Sequence, residues 1–357
     1  MIFFSIGLPG RFAEWCDRLV LRLVEHRGES VASVALNRLD ELAIAAIRTR
    51  RSNLIACCRQ PVLQLQSEIA RAEVPFVLTL GDPRTAVREQ VARMGCTIAD
   101  ATRAVASSCA MMLTMARTPQ ALVLTDADAG NLPEVAAAIA AHFEIAISEG
   151  EAARLASELA EPGSKTVGDE DASWFAGLSG REQAIVRGAL DPYVTYFDDD
   201  DVRRLVWESE LFYISEEPIA PALVPATRPV DLTGRPRFVV YGPFINLPPG
   251  AWSADVVLGF SAEAAGNSMA IEVFAGAQLA QARLDVSGEQ VSDIRLDFII
   301  AETADQPVQI RIVNERAAFD GRLAVGYVAL TRQAAVPEET RARLESALRP
   351  EMSPVTP

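Results

Sequence analysis

The sequence predicts two domains of different class: a parallel-sheet α/β domain over residues 1–215 and an all-β antiparallel sandwich over 237–332. Three observations predict this. Short apolar runs alternate with amphipathic stretches up to about residue 142, the pattern of strands joined by crossover helices. Pro221, Pro225, Pro229 and Pro236 then interrupt the chain, so 216–236 reads as a linker. Beyond it, short alternating runs separated by turn residues replace the helical spacing, as in an antiparallel sandwich. A short charged helix and tail close the chain over 333–357.

The first strand is residues 2–6, and Gly7-Leu8-Pro9-Gly10 breaks it. A helix follows from Phe12, with Leu19, Leu21, Leu23 and Val24 among charges. A second helix is expected over 33–49 and a second strand over 53–58. Residues 62–72 are helical in pattern and 74–80 form a third strand. Gly81-Asp82-Pro83-Arg84 is a turn into a helix over 85–94, and the nearly uncharged stretch 99–115 is a buried helix. Residues 120–125 are a further strand, with helices over 133–142, 149–161 and 182–189. The stretch 161–171 reads as a loop, and the run Asp198-Asp199-Asp200-Asp201 as the acidic start of a helix over 202–207. In the sandwich, strands are expected at 237–241, 252–260, 269–274, 279–286, 294–300, 308–313 and 323–331.

Composition removes several function classes. A formal charge of −15 argues against nucleic acid or an anionic membrane as the main partner. Lys165 is the only lysine, so no phosphate loop ending in Gly-Lys-Ser/Thr exists. His26 and His142 are the only histidines, which excludes His-rich metal sites. Five cysteines without a C-x-x-C pair read as reduced, mostly buried thiols of a cytoplasmic protein. No apolar run approaches the ~20 residues of a membrane helix, and no signal peptide is expected.

A strand, a glycine-rich turn and a helix bring unpaired backbone N–H groups to a helix start, which attracts phosphate or sulfate. Ligands of parallel sheets bind beyond the carboxyl ends of the strands. Three loops should meet there, and each carries an arginine: Arg11, Arg59 and Arg84. Their forked donors suit one shared oxyanion. Asp126 and Asp128 suit either Mg²⁺ or the start of a helix, and the second use needs no metal, so none is assigned. In the sandwich, Tyr241, Phe244 and Trp252 offer either sugar-stacking faces or core filler.

Two segments of the first domain resemble a bacterial sulfotransferase-like family, a branch of the P-loop fold. Gly7-Leu8-Pro9 followed by Trp15 is similar to that family's opening loop, Gly-x-Pro-Arg-Ser-Gly-Thr-Thr-Trp. VLTLGDPRTAV, residues 77–87, is similar to its apolar strand ending in Arg-Asp-Pro-Arg. The resemblance implies 3′-phosphoadenosine 5′-phosphosulfate as cofactor, cradled by Gly7, Pro9, Gly10 and Arg11 with Arg59 and Arg84 nearby. A glutamate or histidine is the family's general base, a role the resemblance offers to Glu14; the competing reading, that Glu14 is simply an acid favouring the start of a helix, is preferred. Several positions depart from the pattern. Gly10 stands for Arg or Lys, Arg11 for Ser, Phe12 for Gly, Ala13 and Glu14 for two hydroxyl residues, and Gly81 for an arginine. Phe12 is expected to put bulk where a phosphate would approach, and Glu14 adds a negative charge.

The stretch 241–252, YGPFINLPPGAW, resembles sandwiches appended to bacterial surface-polysaccharide proteins, which look like carbohydrate-binding modules of the jelly-roll type. Together the resemblances imply a non-catalytic or weakly catalytic sulfotransferase-like protein that binds a glycan or a partner in polysaccharide assembly. The alternative is an active enzyme moving sulfate to a glycan hydroxyl. The loss of cofactor residues favours the first, and the retained Gly-Leu-Pro-Gly and Asp-Pro-Arg turns favour some remaining ligand.

Overall fold

The computed structural model describes residues 1–36, 39–49, 53–61, 63–159, 165–199, 203–215, 223–301 and 306–333. It divides into two compact units. The first holds residues 1–202 with 243–248 and 305–308, and the second holds 203–242, 249–304 and 309–357. The sandwich unit therefore begins at Arg203, not after a proline-rich linker. The expected helix over 202–207 is instead a strand, β6 in the order below (Arg204–Glu208). Its alternation Leu205, Trp207 inward and Arg204, Val206, Glu208 outward has period two, which outweighs the acidic run before it. Part of that run, residues 200–201, lies outside the described residues, as does the predicted C-terminal helix.

The first unit is built in the order β1 (Ile2–Gly7), α1 (Arg11–His26), β2 (Val31–Ala35), α2 (Leu39–Thr49), β3 (Asn53–Cys58), α3 (Leu63–Ala72), β4 (Phe76–Leu80), α4 (Pro83–Met94), α5 (Ile98–Met115), β5 (Ala121–Thr125), α6 (Leu132–His142), α7 (Glu149–Glu158), α8 (Lys165–Gly177) and α9 (Gly180–Asp199). Two elements differ from expectation. Residues 31–35 are an edge strand rather than part of a helix, and residues from 165 onward are helical rather than a loop. The five strands are parallel in the order β2-β3-β1-β4-β5.

The pleat sorts the apolar residues between two helical layers. Phe3, Ile55, Cys57 and Val77 face α1, α6 and α7, whose Trp15, Leu19, Leu23, Val135, Ile139 and Leu155 complete one core. On α1 the buried set Phe12, Trp15, Cys16, Leu19, Leu23 recurs at helical spacing. Alternate residues Phe4, Ile6, Leu78 and Leu80 are buried on the other side, where α5 packs on β4 and carries α3, α4 and α9. The chain thus leaves β1 toward one layer and leaves β3 and β4 toward the other. That divergence places a crevice at the carboxyl end of β1. The cysteines behave as expected of buried thiols: Cys16, Cys57, Cys58 and Cys109 are buried, and burial pushes Cys57 up to about 12 and Cys58 up to about 11.

After β6 come β7 (Tyr213–Ile214), β8 (Val224–Pro225), β9 (Val230–Asp231), β10 (Arg237–Tyr241), β11 (Pro243–Ile245), β12 (Gly250–Phe260), β13 (Ser268–Ala275), β14 (Ala277–Asp285), β15 (Gln290–Ile300), β16 (Val308–Asn314) and β17 (Arg322–Arg332). One sheet runs β14-β13-β16-β10-β7-β8 and the other β15-β12-β17-β6, with β9 on β17. The long pairings of β12, β13, β15, β16 and β17 are antiparallel, as expected for a sandwich. Its core is Trp207, Val239, Trp252, Val256, Leu258, Ile271, Val273, Phe298, Ile310, Ile312 and Leu330.

Candidate functional site

At the crevice, each predicted residue has a structural assignment. Gly7 faces Thr79 of β4, and a Cβ there would lie 1.9 Å from Thr79 Oγ1 and 2.6 Å from its carbonyl oxygen. The glycine is demanded by strand packing. Pro9 is buried. Gly10 is extended, and its carbonyl accepts the first helical bond from the Glu14 N–H at 3.1 Å. Phe12 is buried and stacks with Trp15 at 6.2 Å. Its bulk therefore belongs to the core and does not fill the anion loop as expected.

The structure shows each arginine held by a different carboxylate. Arg59 is ion-paired with Asp17 and donates to the carbonyl of Ala13 at 3.1 Å and to Ser5 Oγ at 3.4 Å. Burial opposes its charge, but the Asp17 carboxylate outweighs this and holds the guanidinium above its ordinary value. Arg84 pairs with Asp191 of α9 at 2.8 Å and lies over the Phe175 ring at 4.8 Å. Arg11 is exposed and 3.9 Å from Glu170. Glu14 is ion-paired with Arg93, which also reaches Glu89 at 3.3 Å. An oxyanion at this crevice would have to compete with Asp17, Asp191 and Glu170 for the same donors.

The Asp-Pro-Arg turn has a local explanation as well. Asp82 caps α4 by accepting from the Arg84 N–H at 2.8 Å, Pro83 occupies the first helical turn, and Gly95 ends the helix in the left-handed region. Asp126 accepts from the Asp82 N–H at 3.1 Å. Asp128 accepts from the Thr125 N–H and hydroxyl at 2.6 and 3.0 Å in a capping box. These are helix-start uses. Among the described residues no group of three or more His, Cys, Asp or Glu is arranged to hold a metal ion.

The three aromatics named from the sequence have separate fates. Trp252 is fully buried in the sandwich core and offers no face to a sugar, because both sides of β12 are covered in this part of the strand: Ser253 is also fully buried. Tyr241 is half-buried with its ring 5.9 Å from Tyr213. Phe244 groups with the first unit, where its carbonyl and the Asn246 N–H meet Ser107 Oγ at 3.5 and 3.1 Å.

A different group meets the chemical requirement for binding a sugar: flat apolar surface beside fixed polar groups. β16 alternates strictly, with Val308, Ile310, Ile312 and Asn314 inward and Gln309, Arg311 and Val313 outward. Cross-strand register sets Glu272 beside Arg311, Phe274 beside Gln309 and Phe238 beside Val313. Phe238 is 48% exposed. The Arg311 Cζ sits 3.4 Å from the centroid of Phe274 and 5.7 Å from that of Phe238. Arg311 Nε donates to Gln309 Oε1 at 3.1 Å. Gln281 donates to Glu272 and Gln278 donates to Gln281, both at 3.4 Å. The result is a diagonal strip, ring–guanidinium–ring, edged by amides. Both rings close on the one guanidinium, so their centroids lie no more than about 9 Å apart.

No protein-family model matches the chain, and no curated protein matches it. Among solved structures, it is similar to TmCBM61 in complex with β-1,4-galactotriose, at 15% identity and a TM-score of 0.24 over 36% of this chain and 88% of that one. It is also similar to the C-terminal CBM6 of LamC from Zobellia galactanivorans, at 12% identity and a TM-score of 0.23 over 36% and 99%. A cyclase from Fischerella sp. TAU is similar at 15% identity and a TM-score of 0.23 over 38% and 76%.

Proposed function

We propose that this protein is a glycan-binding protein whose binding face is the strip of Phe238, Arg311 and Phe274, with the α/β unit as a non-catalytic scaffold. The observation that carries the reading is the strip itself. An exposed ring, a ring-stacked guanidinium and a row of glutamines present apolar faces and hydrogen-bond donors together, as a sugar ring requires. The setting we propose is the handling of a bacterial surface polysaccharide, in keeping with the resemblance of residues 241–252.

The scaffold half of the reading is supported by the ion pairs Arg59–Asp17, Arg84–Asp191 and Arg93–Glu14, which commit the groups a sulfotransferase would need. The test is thermal unfolding of the whole chain with adenosine 3′,5′-bisphosphate and, separately, with polysaccharides. A ligand at 100 times its dissociation constant stabilises by about 2.7 kcal/mol. The expected result is a shift with at least one polysaccharide and none with millimolar nucleotide. A clear nucleotide shift would favour the sulfotransferase alternative.

A further inference from the structure

We infer that the strip selects an acidic glycan, with Arg311 pairing to a carboxylate or sulfate group on the sugar. The inference rests on the glycan-binding reading above and adds the substrate class. Its basis is what Arg311 does not do. Glu272 is its direct cross-strand neighbour, yet among the described residues no ion pair joins them. The guanidinium lies on Phe274 instead, and Glu272 is taken by Gln281.

Other arginines of the sandwich are engaged differently. Arg283 is paired with Glu315 at 3.0 Å and Arg295 with Asp297 at 3.5 Å. Arg237 donates to the carbonyls of Thr233 and Asp231, and Arg332 to that of Pro249. Arg311 has its Nε fixed by Gln309 and its plane set by the ring beneath. Its two terminal nitrogens have no acceptor among the described residues.

A fixed guanidinium with an unused fork is matched by an oxyanion, which accepts two parallel bonds. Burial against the rings also lowers the Arg311 pKa, with Glu272 only partly opposing this, so an incoming anion would relieve a charge that the protein leaves incompletely compensated. The formal charge of −15 repels polyanions at a distance. That repulsion is screened beyond about 8 Å at physiological salt, whereas contact with Arg311 acts inside that range.

The experiment is calorimetric titration of the full chain with paired polymers that differ in charge but share a backbone. The pairs are polygalacturonate and methyl-esterified pectin, alginate and its propylene glycol ester, and dextran sulfate and dextran. The first two report a carboxylate and the third a sulfate. The expected result is at least tenfold tighter binding of an acidic member than of its neutral partner. Arg311→Gln should reduce that preference to less than threefold while leaving the circular-dichroism spectrum unchanged. Arg311→Lys should retain part of it. Equal affinity within every pair, or a preference that survives Arg311→Gln, overturns the inference and leaves glycan binding standing. No binding of any polymer overturns both.

Discussion

The Arg59 guanidinium reaches across the carboxyl end of the sheet and is ion-paired with Asp17 on α1, with both side chains about one-sixth exposed. The pair joins the end of β3 to the second turn of α1. Where an open anion site would present Arg59 to a ligand, this chain uses it as an internal tie. Arg59 Nη1 and Asp17 Oδ1 are buried and lack hydrogen-bond partners, which reduces what the pair contributes. Removing one partner is costlier than the pair is favourable, because a charge is left behind. Arg59→Ala should destabilise by about 2–3 kcal/mol, and Arg59→Ala with Asp17→Ala should recover part of the loss. Urea denaturation of the four proteins of this cycle measures it. An Arg59→Ala variant as stable as the parent would show the tie to be dispensable.

Gly7→Ala tests the other assignment at the crevice. The added methyl would meet the Thr79 carbonyl oxygen at 2.6 Å as well as its hydroxyl, so the strands must separate. The expected cost is about 2–3 kcal/mol. Thr79→Ala in the same background should fail to rescue it, since the backbone obstacle stays. A melting temperature unchanged by Gly7→Ala would mean that β1 and β4 approach less closely than described.

Asp82 and Asp126 are both held above the ordinary carboxylate range, chiefly by partial desolvation of carboxylates that still reach solvent. Repulsion from Asp82 adds to the shift at Asp126. A raised native pKa means that the folded state binds protons more tightly than the unfolded chain. The contribution of Asp126 to stability therefore falls as pH rises from the ordinary value of 3.8 through its raised value. Asp126→Asn keeps an acceptor for the Asp82 N–H and removes the charge. It should be the more stable protein at pH 7, by less than about 1 kcal/mol because the side chain is exposed to screening. The advantage should close as pH falls toward 4. Melting curves between pH 4 and 8 check this, and a gap independent of pH would contradict it.

Much of the architecture was legible because it rests on local period and punctuation. The strands 53–58, 76–80 and 121–125 are short apolar runs, and Asp82-Pro83 is an N-cap followed by a helix-compatible proline. The alternation of Gln309 and Arg311 against Ile310 and Ile312 marks an outward face. Other elements were hidden by composition. Val-Ala-Ser-Val-Ala at 31–35 is too rich in alanine to separate from the helix after it, and the aspartates before Arg204 imitate a helix start. The site was least legible. Arg59 follows β3 in a loop as expected, while Arg11 and Arg84 open α1 and α4, and their carboxylate partners lie up to 159 residues away at Glu170, 42 away at Asp17 and 107 away at Asp191. The strip depends on three strands in register, and nothing local to Phe238, Phe274 or Arg311 reveals it.

The most direct test of the glycan-binding claim is the affinity of Phe238→Ala and Phe274→Ala for the polysaccharide that the parent protein binds most tightly, measured by calorimetry on the full chain. Phe238 is exposed, so its removal should leave the melting temperature nearly unchanged. The expected result is at least a tenfold loss of affinity in each variant. Affinities equal to the parent's in both, with the fold intact, would contradict the account.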